Sequence, residues 1–169
     1  MSAFTDDILR QCRESKIDLV TSVPDGYLVP LIAGFQKDSK ITHIAAAREE
    51  ECLGIAAGAS MTGQRAMVMM QNVGFLNSIG CYATLCANYR TPFLILISHR
   101  GNIDDKNKYD IEKFRYGDAF FKSGQVFSAS WREFREEENM IGKMMDRAYT
   151  ATEPSFLLLD FIPPEGSAC

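Results

Sequence analysis

Apolar residues run along the chain in short blocks whose spacing alternates between helix-like and strand-like. Thr5, followed by Asp6 and Asp7, reads as a helix start, and Ile8, Leu9 and Cys12 carry an apolar face to about residue 16. The β-branched run 17–23 stops at Pro24-Asp25-Gly26, which predicts a strand leaving the core through a tight turn. Helical spacing returns over 27–37, with Pro30 in a first turn that tolerates its missing N–H, and a second strand follows at 41–45. Residues 45–63 predict a helix, 65–71 a short strand, 72–76 a polar loop, and 78–89 a helix capped by Asn77. The continuous apolar run 93–98 after Pro92 is the clearest buried strand, and it opens into a charged, mobile loop that begins His99-Arg100-Gly101 and reaches about residue 108. An aromatic-rich helix over 111–121 and a short strand within 123–129 come next. A long charged helix over 131–150 carries Phe134, Met140, Ile141, Met144, Met145 and Ala148 on one side and 136–138 on a solvated one. A last buried strand lies at 155–160, before Pro163-Pro164 and a short polar tail.

Strands that alternate with helices, several of them apolar on both faces, predict an α/β fold: one domain over 1–169 with a parallel sheet of roughly six strands, flanked by helices on both faces. Right-handed crossovers then gather every strand-to-helix loop on one edge, where open α/β sheets bind ligands. That edge collects the Pro24-Asp25-Gly26 turn, Arg48-Glu49, the 71–77 segment and His99-Arg100-Gly101.

Composition narrows the class. With 46% hydrophobic and 24% charged residues the chain reads as a soluble globular protein, and a net charge of −4 without a Lys/Arg block argues against nucleic acid or an anionic membrane as partner. The charged start of the sequence and the lack of a long apolar stretch place the protein in the cytoplasm. Five cysteines without paired spacing and two distant histidines predict neither a disulfide framework nor a metal site, and most of the cysteines read as reduced core thiols.

The 45–63 helix is the unusual feature. It opens with Glu49-Glu50-Glu51, and from Cys52 to Met61 only Ser60 is polar, so the pattern predicts burial on nearly every side, with Gly54 and Gly58 allowing close approach to another surface. Glu50 and Glu51 suit a helix N-terminus, where they oppose the helix dipole. Glu49 shares its face with Cys52, Leu53, Ala56 and Ser60, and a carboxylate partly desolvated there is expected to have a raised pKa and to exchange a proton near neutral pH. The Gln71-to-Asn77 segment serves either turn-making and capping or neutral hydrogen bonding to a polar ligand. Arg48, His99 and Arg100 are either surface charges or candidates for an anionic substrate group, and Asp25 is either a turn residue or a site residue.

Taken in order, Val23-Pro24-Asp25, Arg48-Glu49-Glu50, Met70-Gln71-Asn72 and the Ile-Ser-His-Arg-Gly segment 97–101 resemble the pyrimidine-binding domain of thiamine-diphosphate-dependent decarboxylases. Cys52, Ala56-Ala57-Gly58, Gly74 and Asn77 extend the match, which covers roughly 17–160 and is nearest to members acting on sulfopyruvate and phosphonopyruvate. The resemblance implies thiamine diphosphate as cofactor, with Glu49 hydrogen-bonded to its pyrimidine nitrogen as the catalytic carboxylate and Pro24, Val73 and Gly74 beside it. It implies substrate contacts from Asp25, Gln71, Asn72, Asn77, Arg48, His99 and Arg100, with carboxamides at 71 and 72 serving hydrogen bonds and not proton transfer. The Gly-Asp-Gly motif that holds diphosphate and magnesium in these enzymes is missing, and Tyr116-Gly117-Asp118-Ala119 does not match it. A separate beta subunit carrying that motif and the Mg2+ is therefore implied, together with self-association. The implied reaction is decarboxylation of a small anionic 2-oxo acid, sulfopyruvate first and phosphonopyruvate as the alternative. From another class, a non-catalytic binding or regulatory module of the same fold remains open.

Overall fold

The computed structural model describes residues 3–103, 105, 107–134 and 137–160. Helix α1 (Ala3–Glu14) leads to strand β1 (Leu19–Ser22), α2 (Val29–Lys37), β2 (Thr42–Ala45), α3 (Glu49–Met61) and β3 (Ala66–Gln71). Then follow α4 (Asn72–Asn77), the short α5 (Ile79–Cys81) running into a π-helical turn at Tyr82–Ala87, and β4 (Leu94–Ser98). The chain closes with α6 (Ile111–Lys122), β5 (Phe127–Ser130), α7 (Met140–Ala151) and β6 (Ser155–Leu159). All pairings are parallel, and the six strands lie in the order β2-β1-β3-β4-β6-β5, as the alternating pattern predicts.

Helices cover both faces because β1, β3, β4 and β6 are buried along their whole length, apart from the end of β3 at Gln71. On one face α1, α2 and α7 pack Ile8, Leu31, Phe35, Ile141 and Met145 against Val20, Met69 and Leu157. On the other, α3, α4 and α6 pack Leu53, Ala56, Phe75 and Phe121 against Val68, Ile95 and Phe156. Phe75 is the hub of this second layer, with ring centroids 4.8 Å from Phe156, 5.5 Å from Tyr82 and 5.8 Å from Phe121.

Several sequence expectations are corrected. The predicted loop at 72–76 is helical, because α4 starts directly from the end of β3. Asn77 is its exposed last residue and caps nothing; buried Ser78 instead gives its hydroxyl to the Gly74 carbonyl at 2.8 Å. The helix over 131–150 is divided into a 3-10 turn at Trp131–Phe134 and α7, whose first turn is capped by the Asn139 side chain accepting from the Gly142 N–H at 2.8 Å. Phe134 is therefore outside α7 and 41% exposed. Helix α3 is not buried all round: Gly58 and Met61 are exposed, Gly54 and Ile55 half-buried, and open space lies beyond both glycines. The described part of the loop after β4 is pinned by ion pairs from Arg100. Cys12, Cys52 and Cys86 are buried free thiols, and burial pushes the Cys52 thiol up to about 11. Cys169, Glu136 and the Pro163-Pro164 tail lie outside the described residues.

Phe75→Ala removes the ring on which four other rings converge. Unfolding in urea is expected to show a loss of about 3–5 kcal/mol, the usual cost of emptying an aromatic site in a packed core.

Candidate functional site

The strand order makes a crevice where β1 and β3 meet. The helix that follows β1 lies on one face of the sheet and the helix that follows β3 lies on the other, so their connections part above the carboxyl ends of these strands. Asp25, in the turn after β1, lies in this crevice with a side chain only 7% exposed. Its Oδ1 accepts from the backbone N–H of Tyr27 at 3.0 Å, that of Leu28 at 3.2 Å, and the Ser98 hydroxyl at 3.1 Å. Its Oδ2 accepts from Gln71 Nε2 at 3.2 Å. One carboxylate thus joins the ends of β1, β3 and β4.

Arg100 lies behind Asp25. Its Nε donates to Asp105 at 3.0 Å, its Nη2 is 2.6 Å from Asp110, its Nη1 is 3.9 Å from Asp25, and the Tyr27 ring covers its plane at 3.5 Å. Burial pulls this guanidinium down, but the bond it donates to Asp105 and the charge of Asp110 more than offset it and hold it above its ordinary pKa. Burial in turn pushes Asp105 up, and N–H donors with Arg100 bring it below the usual carboxylate range. Gly101 makes the arrangement possible: its φ is +92°, and a Cβ there would sit 1.8 Å from the Asp110 carbonyl oxygen.

Glu49 reaches the same rim from the first turn of α3. The helix is anchored by Cys52, whose sulfur accepts from the Thr21 hydroxyl at 3.4 Å, and by Ser60, which donates to the Pro92 carbonyl at 2.7 Å. Glu51 folds back to accept the N–H groups of Ala47 at 2.9 Å and Arg48 at 3.3 Å, closing the helix start, while Glu50 is exposed. Half-buried Glu49 lies over Gly74 of α4: a Cβ at Gly74 would sit 2.3 Å from Glu49 Oε1 and 2.6 Å from its Cγ. Among the described residues none donates a hydrogen bond to this carboxylate, so the space beside it suits a ligand donor.

The remaining sequence candidates divide. Pro24 and Arg48 are exposed on the rim and Val73 is half-buried next to Gly74. Asn72 is fully buried, donating to the carbonyls of Arg100 at 3.1 Å and Lys113 at 3.2 Å, so it holds α4 to the following loop and α6. His99, 4% exposed, stacks on Phe114 at 4.7 Å and lines a different cavity of about 310 Å³ with Asp118, Ser130 and Asp160. Burial pulls it down to about 4, against the opposing charges of Asp118 and Asp160. Tyr27, Ser98, Asp105 and Asp110 escape a reading by sequence; a polar residue closing the apolar 93–98 run was the one available signal, for Ser98. Among the described residues no group of three or more His, Cys, Asp or Glu is arranged to hold a metal ion, and no helix is long and apolar enough to cross a membrane.

A parallel α/β sheet with its polar site at a switch of strand order belongs to the ligand-binding doubly wound class. More narrowly, the chain belongs to the thiamine pyrophosphate enzyme family: residues 3–117 match its N-terminal TPP binding domain. It is 31% identical over 153 residues, covering 90% of each chain, to sulfopyruvate decarboxylase subunit alpha of Methanocaldococcus jannaschii. It is 30% identical over 156 residues, covering 92% of this chain and 93% of the relative, to the protein of that name from Methanococcus maripaludis. The fold matches benzoylformate decarboxylase from Polynucleobacter necessarius with a TM-score of 0.68 at 22% identity, over 100% of this chain and 33% of that one. It also matches 2-oxoglutarate:ferredoxin oxidoreductase from Magnetococcus marinus with a TM-score of 0.63 at 15% identity, over 93% and 28% of the two chains. The chain thus spans about a third of the length of these solved structures, and the likeness to them concerns the fold.

The neutral, buried His99 gives stability an acid limit. Its folded pKa of about 4 lies below the unfolded value near 6.5, so the unfolded chain binds the extra proton between them. Stability is fully present above about pH 6.5 and falls by about 3 kcal/mol as pH drops to about 4. Urea titrations across this range are expected to show the slope in the wild type and a flatter one in His99→Phe.

Proposed function

We propose that this chain is the alpha subunit of a decarboxylase that uses thiamine diphosphate to convert sulfopyruvate to sulfoacetaldehyde and carbon dioxide. The single observation that carries the reading is Glu49 at the crevice, with Gly74 leaving the room its carboxylate occupies. Membership of the thiamine pyrophosphate family supports the cofactor, and the names of the two relatives support the substrate and the subunit. The residues fit the group: a helix start delivers one carboxylate without a protein donor into a space that no Cβ fills.

Bound thiamine diphosphate supplies an electron sink for the pair left when carbon dioxide departs from a 2-oxo acid. Glu49 is positioned to hold a proton shared with the pyrimidine ring nitrogen and so to set which tautomer of the ring is present. Pro24, Val73 and Gly74 would wall the pyrimidine. Gln71, oriented by Asp25, offers a hydrogen bond that cannot titrate to the substrate. Exposed Arg48 is the rim cation we assign to the substrate's anionic group, whereas Asn72 and His99 serve as supports.

A beta subunit with a Gly-Asp-Gly motif supplies the diphosphate and magnesium contacts in this reading. The uncovered face of α3, made by Gly54, Ile55, Gly58 and Met61, is the surface we assign to subunit contact.

The purified chain is expected to release no carbon dioxide from sulfopyruvate until a beta subunit, thiamine diphosphate and magnesium are added together; full activity of the chain alone would overturn the two-subunit reading. In the complex, Glu49→Gln is expected to lower kcat by about 100-fold or more while assembly persists. Gly74→Ala tests the same geometry from the other side: its methyl displaces only the flexible end of Glu49, so the fold should survive and kcat should fall by about 100-fold. Wild-type turnover in either variant removes Glu49 from the reaction.

A further inference from the structure

Arg100 lies behind Asp25 at the crevice, with Nε, Nη2 and its ring plane already engaged and Nη1 facing the charge of Asp25 at 3.9 Å. Asp105 takes Nε, Asp110 takes Nη2, Asp25 faces Nη1, and Tyr27 covers the guanidinium, whose side chain is 11% exposed. Lys113 is drawn into the same cluster, 2.6 Å from the other oxygen of Asp110. Two cations thus face the three carboxylates of Asp25, Asp105 and Asp110, a formal charge of −1 that opposes a substrate with two negative groups.

The cluster has a mechanical output instead. Asp25 Oδ1 is held by Ser98 and the N–H groups of its own turn, and Oδ2, which faces Arg100 Nη1 at 3.9 Å, takes the amide of Gln71. An Asp acceptor there decides which way the Gln71 carboxamide faces, with Nε2 toward Asp25 and Oε1 free for a ligand. Arg suits the post because its planar fork meets several carboxylates at once, which the point charge of Lys does not.

We propose that Arg100 is a positioning residue, clasped by Asp25, Asp105 and Asp110 under Tyr27, that fixes the Gln71 carboxamide at the crevice and leaves the substrate's distal anion to other donors. The proposal deepens the decarboxylase reading and rests on it for its kinetic arm.

The test uses the complete two-subunit complex with thiamine diphosphate and magnesium, and compares Arg100→Met, Arg100→Lys and Asp25→Asn. Each variant is expected to lose about 10- to 100-fold in kcat, since a small misplacement of a positioning group has that scale. KM for sulfopyruvate and the inhibition constant of 3-sulfopropionate, which keeps the sulfonate and lacks the keto group, should stay within about threefold, far less than loss of a charge-assisted contact. A rise of tenfold or more in both constants for Arg100→Met, with Arg100→Lys restoring them, would make Arg100 the anion contact and overturn the proposal. A second arm needs no turnover: in NMR spectra of the full chain, exchange of the Gln71 side-chain amide and of the Gly101 backbone N–H should quicken at least tenfold in Arg100→Met relative to the wild type. Unchanged exchange in a folded variant overturns the clasp. If the wild-type complex releases no carbon dioxide, the decarboxylase reading fails by itself, and the exchange measurement still decides the clasp.

Discussion

A buried carboxylate that accepts from its own turn, from Ser98 and from Gln71 is the constraint from which the site follows. Asp25 ends the turn after β1, but its partners come from the ends of β3 and β4 and from the loop beyond. Removing any one of them leaves a desolvated charge short of a partner, which costs far more than the intact contact contributes. Replacing the set with apolar side chains would satisfy the core equally well, yet it would not specify how three connections sit relative to one another. The polar cluster therefore acts on geometry more than on net stability, and the crevice inherits its shape from it.

Glu49 depends on a different kind of support. It is held by the path of α3, which Thr21 and Cys52 fasten to β1 and Ser60 fastens to the segment before β4. Glu51 closes the helix start on its own backbone, so the three consecutive acids divide into a helix-start clamp, a solvated residue and a carboxylate facing the crevice. Gly74 is the counterpart on α4, where a residue without a side chain meets a residue with a charged one.

Much of this was legible in the sequence. Strand-length apolar runs at 65–71 and 93–98 and the β-branched run ending at Pro24 located three of the central strands, and the alternation with helices located the rim. What escaped depended on contacts remote in the chain. Asp25 read as either a turn residue or a site residue because nothing in Pro-Asp-Gly announces Ser98 or Arg100, and Arg100 as either a surface charge or an anion contact because Asp105 and Asp110 sit within a stretch whose charges look solvated. The 72–76 segment read as a loop because its glycine and carboxamides favour turns, whereas packing of Phe75 among four aromatic rings outweighs that local preference. Apolar content alone also misplaced the outer face of α3, since small residues suit a buried and an uncovered helix face equally.

The strand order explains why His99 and Arg100, adjacent in sequence, end in different surroundings. Beyond β4 the chain crosses to the edge strand β5 and returns to insert β6 between them, so loops part a second time above β6. His99 turns to that side, among Phe114, Phe121 and the Asp160 end of β6, while Arg100 turns back toward Asp25 and the β1–β3 crevice. Burial outweighs the charges of Asp118 and Asp160 and keeps the imidazole neutral, whereas burial among directly bonded carboxylates keeps the guanidinium charged. Between them they fasten the end of β4 to both neighbouring loops, and Asn72, donating to the Arg100 carbonyl, ties α4 to the same point. The backbone that carries Gly74 is thus braced from β4, and the room kept for Glu49 is set by residues that never touch it.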